Sequence, residues 1–510
     1  MNKYVLGIDL GTSGCKVVLV DEKLQILSSS LKEYPIDTPK PGWYEQDPEI
    51  WWISVKKGIK KVLKNLDNKN TILGIGLTGQ MHGLVAIGKD FKVIRPSIIW
   101  ADIRNADQCK EIYEKVGGEK SLLKLTNNKM LTGYTGGKIL WMMQNEPELF
   151  EKVLCILNPK DYIRLRLTGE IATDVSDASG TGLFDIQNRK WCLQLIDKIG
   201  IPNSILPRVY ESEDISGSIL DCISEELDLP RALPVVGGGG DAVVQTIGTG
   251  VTLPGVFGTI IGTGGIVATT LDNFFINSNG NLQIFCSCIR NKWHAMGVML
   301  SAGGALKWFS EIFCNAENEI SGLCKKNVYK ILDDEAFNVS PGAEGLFFLP
   351  FLLGQRCPYS DSFSKAAFIG ITPRHDKRHF IRSLMEGVVF SLKDMSDLIV
   401  AMGVKINQLR TSGGGSSSEL WRQIQADVFN AEVLTMQGAY DGGALGAAMI
   451  AGSGIGLWNN IIEASSLLNI DTHNSPSFEN YQKYKILESL YKKIYPSLKK
   501  IFEKINIINV

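Results

Sequence analysis

Ile8-Asp9-Leu10-Gly11-Thr12-Ser13-Gly14, set inside YVLGIDLGTSGCKVVLV (residues 4–20), returns in altered form half a chain later. The second version is Thr259-Ile260-Ile261-Gly262-Thr263-Gly264-Gly265, inside GVFGTIIGTGGIVATTL (residues 255–271). Each is an apolar β-prone run, a Gly-Thr-x-Gly turn and another β-prone run, which predicts a hairpin with a glycine-rich tip. Glycine supplies positive φ without strain and leaves no Cβ in the path of a ligand. Turn N–H groups and the Thr and Ser hydroxyls can then face phosphate oxygens. Repetition at this spacing predicts two related domains facing each other across a cleft. Asp9 aligns with Ile260, so one tip has the means to hold a metal and the other only phosphate. A phosphotransferase needs that asymmetry.

Composition narrows the rest. The 510 residues are 44% apolar, enough for two large cores, and the boundary is expected just after residue 250. Glycine is 52 of 510, about a tenth against a usual ~7%, and the excess lies in loops. A formal charge of −1 without long single-sign runs argues against a nucleic-acid partner. Ten scattered cysteines, with no Cys-x-x-Cys, fit reduced thiols in a cytoplasmic protein. Asp9 comes too early for a signal peptide, and no stretch reads as a spanning helix, so no membrane partner is expected.

Apolar steps of four and three predict a buried helix over about 376–402 and another near 481–498, interrupted at Pro496. Gly74-Ile75-Gly76-Leu77-Thr78-Gly79 fits the dinucleotide fingerprint, yet Leu84–Ile87 after it reads as a strand where that fingerprint needs a helix. His375 and His379, at i, i+4 among Arg374, Lys377 and Arg378, read as a solvated face rather than a metal pair. Gly413-Gly414-Gly415 precedes a serine-capped helix, where a flat ring can lie on the backbone and a helix start favours phosphate. His82 reads equally well as a structural or a ligand-facing residue of the turn after Gly79. Asp241 follows four glycines, reading as a ligand-facing carboxylate or as a helix cap.

IDLGTSG, GLTGQMHG, EQDP, IWADIR, NPKDYIRLRLTGE, SDASGT, GGGD, the second GTGG, LPFLLGQRCP, TSGGGSSSELWRQIQAD and GGALGAA occur in this order from end to end. Together they resemble the FGGY carbohydrate kinases, and within them the xylulokinases. The resemblance implies an α/β fold of two actin-like (ribonuclease H-like) domains, 1–250 binding sugar and 251–510 binding nucleotide, with ATP and sugar in the cleft between. It implies transfer of the γ-phosphoryl of ATP to a sugar hydroxyl, D-xylulose becoming D-xylulose 5-phosphate. Asp9 then organises Mg²⁺ through water. Thr12, Ser13 and Lys16 belong to the first phosphate hairpin and Thr263 to the second. Met81 and His82 contact the sugar, Asp241 is the catalytic base, and Gly414 and Gly415 lie beneath adenine. Ala242 stands where the xylulokinases commonly carry Asn, and Gln355 and Cys357 stand where Glu and Thr are common. These departures leave open another ketose, a polyol or a sugar acid as substrate. A non-catalytic sensor on the same fold is the rival of another class, and retention of both Asp9 and Asp241 argues against it. A homodimer is an open expectation. With acids in one half and Gly414 and Thr263 in the other, two halves joined near 245–255 must close on their ligands.

Overall fold

A computed structural model describes residues 2–508. Its core is two seven-stranded sheets, one in each half. The first contains β1 (Tyr4–Leu10), β2 (Gly14–Asp21), β3 (Ile26–Glu33), β4 (Ile72–Gly79), β5 (Ile215–Ser218), β6 (Pro234–Val236) and β7 (Gly239–Gly240). Its order is β5-β6-β4-β1-β2-β3, with β7 beside β4. The second contains β8 (Val256–Ile261), β9 (Gly265–Leu271), β10 (Gln283–Cys286), β11 (Trp293–Met299), β12 (Gln408–Ser412), β13 (Glu432–Met436) and β14 (Ile470–Asn474), in the order β10-β11-β9-β8-β12-β13-β14. In each half an antiparallel hairpin is extended by two parallel strands and closed by an antiparallel one. The repeated tips therefore head equivalent hairpins, β1–β2 and β8–β9, as their sequences predict.

The tip glycines are used differently from expectation. Gly11, Gly14, Gly262, Gly264 and Gly265 all lie outside the positive-φ region. What they provide is close approach: a Cβ on Gly14 would fall 2.9 Å from Lys32 O, and one on Gly264 2.7 Å from Met299 O. The G-x-G of β4 has a related cause. The helix Gly442–Gly454, from the second half of the chain, lies on the first sheet, and a Cβ on Gly7 or Gly76 would overlap the carbonyl of Ala444 or Ala447. Gly248, in the helix Asp241–Gly248, meets Gly442 O in the same way. The small residues of GGALGAA thus serve helix-on-sheet packing.

Two other expectations change. The helix near the C-terminus runs unbroken over Phe478–Ile508 with Pro496 inside it. Burial of Tyr484, Tyr491, Tyr495 and Phe502 on both sides of the proline offsets the one lost backbone bond. His379 is buried, not solvated. It is the N3 partner of Asp376 in a reciprocal cap that starts the helix Lys377–Val400. No helix among the described residues is long and apolar enough to cross a membrane.

Candidate active site

Sheet register alone assembles the site. Asp9, at the end of β1, pairs with Thr78, and β7 pairs with the other edge of β4 at Thr78 and Gly79. Asp241 follows β7, and Met81 and His82 follow β4. Four candidate residues thus leave the carboxyl ends of three adjacent parallel strands, where ligands bind in open α/β sheets. Asp9, Met81, His82 and Asp241 line one cavity of about 400 Å³, closed on the other side by Ile260, Val298 and Arg356 of the second half.

The two acids share that space, and both are held above the usual carboxylate range. Burial pushes the Asp9 carboxyl up to about 6, against the pull of Lys16. Burial first, then the Asp9 charge, push Asp241 up to about 7, while N–H groups of Ala242 and Met81 hold it down. Asp241 is the first residue of its helix, Gly240 is the cap, and the Ala242 amide donates to Asp241 Oδ1 at 2.8 Å. It is not a capping residue. Asp9 Oδ1 is buried without a hydrogen-bond partner, and Asp9 Oδ2 lies where a Cβ on Gly443 would be. The glycines before Asp241 do not open the site. Each packs tightly, Gly238 at φ +68° against Leu77 O and Gly240 against Met81.

His82 sits at φ +70° and its Nδ1 donates to Gly180 O at 2.6 Å, which leaves Nε2 as the free acceptor of the neutral ring. Burial and the neighbouring Lys138 and Arg356 push its pKa down to about 3. Lys138 is itself buried, donating to His82 O at 2.9 Å and Gly133 O at 2.6 Å. Ala242 lines the cavity beside Asp241.

The phosphate-side candidates are placed more unevenly. Thr12 Oγ1 accepts from the Trp100 indole at 2.9 Å, and Ser13 is exposed on the same tip. Lys16 pairs with Asp441 of the second half, 4.0 Å above the Tyr440 ring. Thr263 has its carbonyl tied to the Ala302 and Gly304 amides, 2.8 and 3.0 Å away, at the start of the helix Gly303–Phe313. Gly414 has open space where a side chain would be. Gly415 does not, because Ile261 and Trp421 fill that side. Gln355 and Cys357 are buried, and neither lines the cavity.

Trp100, Tyr134, Gln245 and Arg356 also line the cavity. Arg104, Lys138 and Trp141 sit behind them in a layer of cation–π contacts and carbonyl bonds. Among the motifs, IWADIR contains Trp100 and Arg104 and LPFLLGQRCP contains Arg356, and the other residues here lie outside them. A second acidic group, Asp394, Asp397 and Glu488, gathers carboxylate oxygens outside the cavity lining. Lys492 Nζ already lies 2.6 Å from Asp397 and 2.5 Å from Glu488.

Residues 4–248 match the N-terminal domain of the FGGY family of carbohydrate kinases, and residues 258–455 match its C-terminal domain. The chain belongs to that family and is a carbohydrate kinase; sugar kinases of the family use ATP as phosphate donor. It is similar to the xylulose kinase of Bacillus subtilis (strain 168), 37% identical over 98% of this chain and 97% of the relative. Among solved structures, the ligand-bound xylulose kinase of Lactobacillus acidophilus has a TM-score of 0.90 at 26% identity, covering 99% of this chain and 100% of that one. The gluconate kinase of the same organism has a TM-score of 0.91 at 26% identity, with the same coverage.

Proposed function

We propose that the enzyme phosphorylates D-xylulose at the expense of ATP, with Asp241 as general base and residues 1–250 and 251–510 as its two domains. The observation that carries this reading is the convergence of Asp9, Met81, His82 and Asp241 at neighbouring strand ends in one cavity. The substrate assignment rests on similarity to xylulose kinases over nearly the whole chain. Phosphoryl transfer asks a protein mainly for positioning and charge neutralisation, plus an acceptor for the proton of the attacking hydroxyl. A carboxylate raised to about 7 by burial accepts that proton well near neutral pH. Neutral His82, with Nε2 free, receives a hydrogen bond from a sugar hydroxyl and orients it. Thr12, Ser13, Lys16 and Thr263 face the phosphates, and Gly414 offers the open backbone for adenine.

Asp9 fits Mg²⁺. Its buried Oδ1 lacks a partner and its charge opposes that of Asp241, so a cation there relieves both costs. A single carboxylate acting through water suits this ion, which supplies neutralisation of phosphoryl charge when bound. The free thiols of all ten cysteines suit a cytoplasmic setting.

Assaying ADP release with a panel of pentuloses, polyols and aldonates tests the reading. D-xylulose is expected to give the highest kcat/KM; a preference for D-gluconate would favour the reading suggested by the gluconate kinase fold match. Within the panel, Ala242→Asn is expected to change the ratio of kcat/KM between D-xylulose and its analogues by up to about tenfold, the worth of one polar contact. An unchanged ranking would show that residue 242 does not face the sugar. As pH falls below about 7, Asp241 is protonated in the free enzyme, so kcat/KM is expected to drop about tenfold per unit, and more steeply below about 6, where Asp9 also takes up a proton. His82, neutral down to about 3, adds no second limb in that range. A flat profile between pH 5 and about 8 would remove Asp241 from the proton transfer.

A further inference from the structure

We infer that Ser176 is a positioning residue for Asp241, acting through the amide of Gly240 and held in place by Asp174 and Lys160. This rests on the reading of Asp241 as the base. The direction of each hydrogen bond follows from chemistry. Ser176 Oγ has one proton and lies 2.6 Å from Asp174 Oδ2, an acceptor only, so the proton points there. The Ser176 oxygen is then free to accept, and the Gly240 N–H donates to it at 3.0 Å. Gly240 is the residue before Asp241 and the cap of its helix.

Asp174 is held in turn. Its Oδ2 accepts from Ser176 N at 2.8 Å and Ser212 Oγ at 3.0 Å, and Lys160 Nζ stands 2.8 Å from Oδ1. Lys160, Asp174, Ser176 and Ser212 are all buried. On its other side the turn is locked by ladder pairing of Gly239 and Gly240 with β4. A Cβ on Gly239 would fall 2.9 Å from Ser176 Oγ, so the serine reaches the amide only because residue 239 is glycine. The short helix Val175–Ser179 that carries Ser176 also leads to Gly180, whose carbonyl fixes His82. One buried unit thereby sets the spacing between the sugar-orienting ring and the base.

The test is a double-mutant cycle in the full-length enzyme, with steady-state kinetics and thermal denaturation. Ser176→Ala is expected to lower kcat on the order of 10- to 100-fold, the cost of a misplaced catalytic group, with KM for sugar and ATP near wild type. The acid limb of kcat/KM should move to higher pH, because a loosened turn weakens the Ala242 and Met81 bonds that hold Asp241 ionised. Added to Asp241→Asn, the same change should cost nothing further, since the group it positions is gone. Ser176→Thr, which keeps the hydroxyl, should restore most of the rate, and it stands in if the alanine variant does not fold. Equal losses in both backgrounds, or an unmoved acid limb, would overturn the inference while leaving the base assignment intact. Near-normal turnover of Asp241→Asn alone would instead overturn that assignment.

Discussion

Asp241→Asn is expected to lower kcat by about 10²–10⁴ and to leave sugar and ATP binding close to wild type. The carboxamide keeps an oxygen for the Ala242 amide and the same shape at the start of the helix, so the turn should survive. What disappears is the proton acceptor. It also removes a charge that burial and Asp9 oppose, so stability should hold or rise slightly. Initial rates followed by ADP release, with binding measured by calorimetry, separate the two effects. Near-normal turnover would exclude Asp241 as base, and a loss confined to KM would make it a binding residue.

A second large effect is expected behind the site, in stability. Lys160 Nζ stands among Asp161, Asp174 and Asp177, at 2.5, 2.8 and 3.2 Å, with Arg164 the other cation of a fully buried group. Burial raises Asp177 well above the usual carboxylate range, against the pull of Lys160. Lys160→Met strips one cation and strands a buried carboxylate. The cost should be about 3–5 kcal/mol. Chemical denaturation reads this directly. A loss below about 1 kcal/mol would mean that water reaches the cluster or that another acid takes up a proton.

The site was legible in the sequence where a chemical residue sits at or just past the carboxyl end of a strand. Asp9, Met81, His82 and Asp241 all do so, and pairing of three neighbouring strands brings them together without further information. The fold was legible through the repeated tip for the same local reason. Trp100, Tyr134, Gln245 and Arg356 reach the cavity from separate loops and helices, and no spacing rule relates them. Lys138 is buried where a lysine is ordinarily solvated; its two carbonyl acceptors, at His82 and Gly133, exist only in the folded chain. Glycines were the most ambiguous letters. The pattern of Gly74 and Gly76 was rightly separated from a nucleotide loop, but its partner, the carbonyl of Ala447, comes from the far half of the chain. Pro496 misled because local propensity predicts a break that four buried aromatic rings override.

The helix Gly442–Gly454 gives the molecule a mechanical plan that differs from its order along the chain. It belongs by sequence to the second half, yet backbone-to-backbone contacts at Gly7, Gly76 and Gly248 leave no slack for it to slide on the first sheet. The closure expected on ligand binding, if it rotates the two sheets, is absorbed elsewhere. The chain leaves this helix at Gly438 and Gly456 and crosses between the sheets at Gly250 and Gly255, all four at positive φ, where torsions turn at little cost. The bodies of any such closure are then unequal, the first sheet with a borrowed helix against the second sheet without it. Gly443, on the borrowed helix, backs Asp9, so the bed of that acid travels with the acid and keeps its geometry through any such swing.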